Sequence, residues 1–290
     1  MAEYVIFTDS SCDLPAQLAK EMELEVNNLS LVIEGKEYEN YLDGREIGFS
    51  DYYNLLREGK MGSTSAANIE SFGKLMEPVL KAGKDILYLG FSSGLSGTYN
   101  AGVQAANELR EKYPERKIYT VDTLAASLGE GLLVYYAVKE KRSGKSIEEV
   151  RDYIESIKLS LCHWFTVNDL HHLKRGGRVS ATTAIAGTIL QIKPVMHVDN
   201  EGKLINVEKA KGRRNSIKRL AEIMQETAIE PENQTVFISH GDCLEEAEYL
   251  ASIVKEKMNV KEFVINHVGP VIGTHSGPGT LALFFIGKQR

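Results

Sequence analysis

Short apolar runs closed by turn residues alternate with amphipathic stretches along the chain, and that rhythm leaves few folds open. Ile86-Leu87-Tyr88-Leu89 runs into Gly90-Phe91-Ser92-Ser93-Gly94-Leu95-Ser96-Gly97, then a helix-patterned segment from Thr98 to Lys112 and a further apolar run from Lys117 to Val121. Strand, glycine-rich turn, helix, strand is the order of an α/β unit with a parallel sheet. Upstream, Tyr4 to Phe7 reads as a strand leading into Thr8-Asp9-Ser10-Ser11, and Leu14 to Met22 as a helix with Pro15 in its first turn. Leu29 to Ile33 and Lys36 to Asn40 flank Glu34-Gly35, which predicts a hairpin. Leu128 to Arg142 reads as a helix.

The pattern resets at Ser143-Gly144-Lys145-Ser146, where a capping-box sequence, Ser146-Ile147-Glu148-Glu149, opens a helix to about Leu159. Cys162 to Val167 follows as a strand, Asn168 to Arg175 as a short helix stopped by Gly176-Gly177, and Pro194 to Val198 with Lys203 to Lys209 as a second hairpin. A basic helix from Arg213 to about Thr227, a strand from Thr235, a helix from Leu244 to Lys257 and a strand over Glu262 to His267 complete an α/β second half. Two α/β domains are expected in the 290 residues, 1–160 and 161–290.

The 34 Lys and Arg residues against 40 Asp and Glu give a net charge of −6, which argues against a general nucleic-acid binder. Cys12, Cys162 and Cys243 form no CxxC pair, so a reducing cytoplasm is the expected location. The N-terminus lacks the pattern of a signal peptide, no stretch approaches the roughly 18 uninterrupted apolar residues of a membrane span, and the best, Leu281 to Ile286, is far too short to span a bilayer, so no stable membrane insertion is expected.

Three segments offer chemistry. Ser92 to Thr98 stands between a strand and a helix, where free N–H groups and the helix dipole favour an anion; Ser96 as a simple helix cap is the plainer reading. Gly62-Ser63-Thr64-Ser65-Ala66-Ala67-Asn68 reads as a second hydroxyl-rich turn ahead of a helix at Ile69, with capping again the plainer role. His275 lies between Gly273 and Gly277-Pro278-Gly279, where the backbone can approach another group closely. His171 and His172 are adjacent and diverge on a helix, and no HExxH or paired Cys/His cluster exists, so no metal site or cofactor is expected. Two basic runs, Leu173-Lys174-Arg175-Gly176-Gly177-Arg178 and Lys209 to Arg214, suggest docking of an acidic partner beyond their ordinary role as solvated faces.

Together these segments resemble the DegV family, bacterial fatty-acid-binding proteins that serve a fatty-acid kinase. The resemblance runs in order through Thr8-Asp9-Ser10, Thr64-Ser65, Ser92 to Tyr99, Leu173 to Arg178, Ile192-Lys193-Pro194 and Gly269 to Thr280, almost the whole chain. It implies two α/β domains with a tunnel at their interface for one long-chain fatty acid. The carboxylate is then expected near Thr64, Ser96 and His275, with Ser93 and the Gly97 amide in support. Ile185, Ile189 and Leu190, in the apolar run from Ala181, are expected to line or cover the tail. The resemblance further implies that a kinase catalytic subunit phosphorylates the bound acid to an acyl-phosphate for phospholipid synthesis, docking on Lys211, Arg213 and Arg214. The sequence departs from the family pattern at Lys211-Gly212, where arginine and threonine are usual, and at Ala66-Ala67, where Gln-Pro is frequent.

On this reading the chain is a monomeric carrier, not an enzyme. Burying about 15 methylenes bounds the tail's contribution at roughly 12 kcal/mol before association costs. The alternative is a serine hydrolase acting on acyl esters through Ser96 and His275, with a carboxylate such as Asp9 orienting the imidazole. Gly94-Leu95-Ser96-Gly97 lacks the GxSxG elbow of many such enzymes. A small-molecule kinase subunit is a third reading, without a nucleotide motif behind it.

Overall fold

The computed structural model describes residues 3–179 and 191–290. Its first half carries, in order, β1 (Tyr4–Asp9), α1 (Ala16–Glu21), β2 (Glu25–Asn27), β3 (Ser30–Ile33), β4 (Lys36–Glu39), α2 (Phe49–Arg57) and β5 (Gly62–Ser65). Then come α3 (Ile69–Lys81), β6 (Asp85–Gly90), α4 (Thr98–Lys112), β7 (Ile118–Asp122), α5 (Leu128–Arg142) and α6 (Ile147–Ile157). β1, β2, β6 and β7 form a parallel sheet in the order β2-β1-β6-β7. All six residues of β6 are buried, as a strand covered on both faces requires. Ile86 and Tyr88 pack towards Phe72 and Met76 of α3 and Ala105 of α4, whereas Leu87 and Leu89 pack towards α5 and α6. α6 starts at the capping box: Ser146 Oγ accepts from the Glu149 N–H, and Glu149 accepts from the Ser146 N–H.

The segment read as a hydroxyl-rich turn, Gly62 to Asn68, is a strand in its first four residues. β5 pairs antiparallel with β3, which also pairs with β4, and this register sets Thr64 opposite Leu31. Asn68, not a hydroxyl, caps α3 by accepting from the Ser71 N–H. Ladder pairing satisfies the backbone of Ser63 to Ser65 and turns alternate side chains to opposite faces, which a turn would not do.

The second half carries β8 (Leu161–Thr166), α7 (His171–Arg175), β9 (Ile192–Val198), β10 (Leu204–Lys211), α8 (Arg213–Thr227) and β11 (Thr235–His240). After these come α9 (Leu244–Met258), β12 (Glu262–His267), α10 (Pro270–Ser276) and β13 (Leu281–Ile286). Its six-stranded sheet, β10-β9-β8-β13-β11-β12, is antiparallel at every junction except β11–β12. Cys162, Ile238, Leu283 and Phe285 face α8 and α9; Phe165, Phe237, Ala282 and Phe284 face α5.

α5 is therefore covered by both halves. Nine of its 15 residues are buried, on all sides of the helix. Glu130, fully buried within it, accepts from Thr8 Oγ1 at 2.8 Å. Asp9 and Asp13 lie in the same interior, and Asp13 accepts from Ser127 Oγ at 2.6 Å. Burial, reinforced for each by the charge of Asp9, pushes the Glu130 carboxyl well above the ordinary range and that of Asp13 up to about 8. The folded chain thus holds protons here that the unfolded chain releases, and stability falls as pH rises from the ordinary carboxylate range through neutrality. Glu130→Gln keeps an acceptor for Thr8 and removes one such proton. Chemical denaturation followed across that range is expected to give a shallower decline in this variant, by at most about 1.4 kcal/mol per pH unit. Parallel profiles for variant and parent would place an ionised Glu130 in the fold.

Candidate functional site

Strand β5, the loop from β6 into α4, the first turn of α5 and the helix α10 converge on a cavity of about 430 Å³, a size ordinary for a small-molecule site. Thr64, Ser93, Ser96, Gly97 and His275 all line it, so residues separated by up to 211 positions share one wall. Leu29, Phe91, Phe165, Leu173, Val271 and Ile272 supply much of the apolar remainder.

Thr64 Oγ1 lies 2.8 Å from His275 Nε2. The backbone is closely packed around the imidazole. Gly273 packs under Tyr53, where a Cβ would come within 2.6 Å of the phenol oxygen, and Gly176 packs against the ring itself, where a Cβ would come within 2.2 Å of Nδ1. His275 Nδ1 is buried with no partner among the described residues. Burial, with Arg178 nearby, lowers the His275 pKa to about 4, so the ring is neutral at physiological pH. A neutral ring whose Nδ1 has no acceptor to serve carries its proton on Nε2 and donates to Thr64. The Thr64 hydroxyl proton is then free for a ligand in the cavity.

The loop after β6 is shaped by Asp9, which accepts from the Phe91 N–H at 3.1 Å and the Tyr88 hydroxyl at 3.0 Å. Ser92 Oγ donates to the Gly202 carbonyl at 2.8 Å, joining this loop to the β9–β10 turn. Gly94 has no room for a side chain there, since a Cβ would meet the Glu201 carbonyl at 2.6 Å. Ser96 Oγ accepts from the Thr98 N–H at 3.2 Å and shares a bond with Thr98 Oγ1 at 2.9 Å, so it serves the first N–H of α4 from just ahead of the Gly97 cap position and still lines the cavity. Ser93 and Gly97 are exposed at the cavity's edge.

The hydrolase geometry is absent. Ser96 bonds to Thr98 and His275 to Thr64, while Asp9 is occupied by Phe91, Tyr88 and Ser11. Among the described residues no carboxylate orients His275 and no general base pairs with Ser96. Ile185, Ile189 and Leu190 lie outside the described residues.

Arg178 is the site residue that sequence reasoning left inside a basic run. It lines the cavity beside His275, is half-buried, and donates to the Gly176 carbonyl. No carboxylate among the described residues pairs with it. A half-buried cation lacking a counter-ion, next to neutral donors, is chemistry suited to an anion. Its place directly after Gly176-Gly177 and before an apolar run was the available signal.

The second basic run divides. Arg213 is only 16% exposed, grips Glu246 with Nε and the terminal nitrogen at 2.5–3.1 Å, and donates to the Gly279 carbonyl at 2.6 Å. Its charge ties α8 to α9 and to the loop beyond α10. Arg214 is exposed over the Tyr249 ring at 4.6 Å, and Lys211 is exposed at the end of β10. Among the described residues no cluster of His, Cys, Asp and Glu has the arrangement of a metal site, and no helix is long and apolar enough to cross a membrane.

Arg213→Ala is expected to cost roughly 2–3 kcal/mol in urea denaturation, because Glu246 and the Gly279 carbonyl lose their partner. Arg214→Ala should change stability by less than about 0.5 kcal/mol. Equal, small losses would mean Arg213 is free in solution.

Comparison with known proteins places the geometry in context. The model of the DegV family matches residues 3–288. A DegV domain-containing protein of Clostridium perfringens is 49% identical over 290 residues, covering 100% of this chain and 99% of the relative. Among solved structures, a fatty-acid-binding DegV family protein from Thermus thermophilus aligns with a TM-score of 0.87 at 28% identity, covering 99% of this chain and 100% of that one. Another, from Streptococcus agalactiae, aligns at 0.85 and 29% identity over 100% of both chains.

Proposed function

The chain belongs to the DegV family, and on that premise we propose that it binds one long-chain fatty acid in the cavity, tail inward, with the carboxylate against Thr64, Ser96, His275 and Arg178. The observation that carries this reading is the asymmetry of the cavity. An apolar interior ends at one wall where a hydroxyl held by a neutral imidazole stands beside an arginine with no carboxylate partner among the described residues. A carboxylate accepts from Thr64, takes Ser96 and the Gly97 amide as further donors, and balances Arg178, which meets the requirement that a buried charge be both paired and hydrogen-bonded. Ser93 at the edge adds a donor.

The protein is then a carrier whose domains, 1–160 and 161–290, meet at the ligand. An apolar chain sealed between them leaves only the polar end near the surface. A kinase reaching that end transfers a phosphoryl group to the carboxylate, giving an acyl-phosphate for phospholipid synthesis, while the carrier holds the tail. Lys211 and Arg214, exposed where β10 meets α8, supply the positive surface for an acidic partner. The carrier acts as a monomer in the cytoplasm.

Two experiments test these steps. In a direct titration with stearic acid, Thr64→Val and Arg178→Gln should each weaken binding about tenfold or more, since each removes a charge-assisted contact. Unchanged affinity in both would put the carboxylate elsewhere. Lys211→Glu combined with Arg214→Glu should leave that affinity intact and lower phosphorylation of the loaded carrier by the kinase. Equal turnover would remove this face from the docking surface.

A further inference from the structure

The cavity is not apolar throughout its depth. The face of the six-stranded sheet that looks towards α5 is built from Phe165, Phe237, Ala282 and Phe284, and two polar side chains interrupt it. Ser239 stands opposite Ala282, itself opposite Phe165, and His163 lies one pleat along β8 from Phe165. Both are buried and both line the cavity, together with Ser127 at the start of α5. A plain hydrocarbon chain laid against this wall leaves His163 Nδ1 without a partner among the described residues and Ser239 with only its bond to Ser127.

On the reading that the cavity takes a long-chain fatty acid, we propose that Ser239, Ser127 and His163 form a second subsite, for a hydroxyl group carried on the acyl chain. The preferred ligands are hydroxylated long-chain acids.

The hydrogen bonds favour a hydroxyl. Ser127 Oγ lies 2.6 Å from Asp13 Oδ2 and 2.9 Å from Ser239 Oγ. Whichever way the protons run along this series, the terminal Ser239 hydroxyl keeps either a lone pair or its proton unclaimed. A hydroxyl both donates and accepts, and so matches either polarity, whereas a ketone matches one. His163 Nδ1 is buried without a partner among the described residues and packs against Gly129, where a Cβ would come within 3.4 Å of it. The ring is held between Phe284 and Phe165, with centroids 4.6 and 5.7 Å away. Burial keeps the imidazole neutral, so the ring offers one donor and one acceptor nitrogen at the cavity wall. A site that supplies hydrogen-bonding groups to a hydroxyl discriminates against the analogue lacking it, because its own groups are then left unpaired.

The test is a titration of the full chain, stripped of lipid, with stearic acid and with hydroxystearic acids carrying the hydroxyl at successive chain positions. At least one positional isomer should bind about fivefold or more tighter than stearic acid. His163→Phe fills the same space without nitrogen, and Ser239→Ala removes the hydroxyl. Each should abolish the preference while stearic acid binds as well as before or better, with thermal melts confirming that both variants fold. Stearic acid binding as tightly as every isomer, or a preference that survives in both variants, overturns the subsite. Failure of every acid to bind overturns the fatty-acid reading itself, and the subsite with it.

Discussion

Two sheets of different construction bury against one helix, and the rest of the molecule follows from that shared surface. α5 presents apolar residues on all sides, so neither the parallel sheet before it nor the largely antiparallel sheet after it covers its hydrophobic area alone. Where α5 begins, the two sheets part and leave the cavity. Polar links close the structure around that gap. Ser92 reaches Gly202, Ser127 meets Ser239, Arg57 pairs with Asp242, Tyr52 meets Thr274, and Thr64 meets His275. At the far edge the Arg290 guanidinium donates to carbonyls of both halves, including Leu124, Leu161 and Asp199. A void lined by apolar side chains is costly when empty, so a ligand that fills it adds the packing that the separated sheets cannot.

The polar end of the cavity uses mostly neutral groups. His275 is held neutral by burial, so its role is to fix Thr64 in one hydrogen-bonding orientation and not to contribute charge. Arg178, the one cation lining the cavity among the described residues, is half-buried and therefore remains partly hydrated before a ligand enters. That arrangement suits binding and presentation better than reaction. Among the described residues no base reaches Ser96 and no carboxylate orients the histidine. It suits a carrier from which a carboxylate must remain reachable at one end while its chain is sealed at the other.

Much of this was legible in the residues. Thr98 to Lys112, Leu128 to Arg142 and Arg213 to Thr227 match helix boundaries, and the Ser146–Glu149 box and the Glu34-Gly35 turn formed as their local chemistry dictates. Local signals sufficed because each is decided within a few residues. Thr64 and Ser96 read as helix caps by their local chemistry alone, and only the family resemblance joins them with His275. The rest depended on partners distant in sequence. β5 reads as a turn because Gly62 to Ser65 has no strand-forming residue but Thr64, and only pairing with β3 makes it a strand. Arg213 and Arg214 are neighbours with the same charge, and which one turns inward is decided by Glu246, 33 residues on. Strand direction in the second half is set by connections that no single segment encodes.

The central claim is that the cavity holds a lipid by its carboxylate and without a covalent bond. Mass spectrometry of freshly purified protein, first native and then denatured with organic extraction, addresses it most directly. The account predicts a native adduct that is lost on denaturation and recovered in the extract as a long-chain carboxylic acid. An acyl mass that stays on the denatured chain, or an extracted lipid without a free carboxyl group, would contradict it.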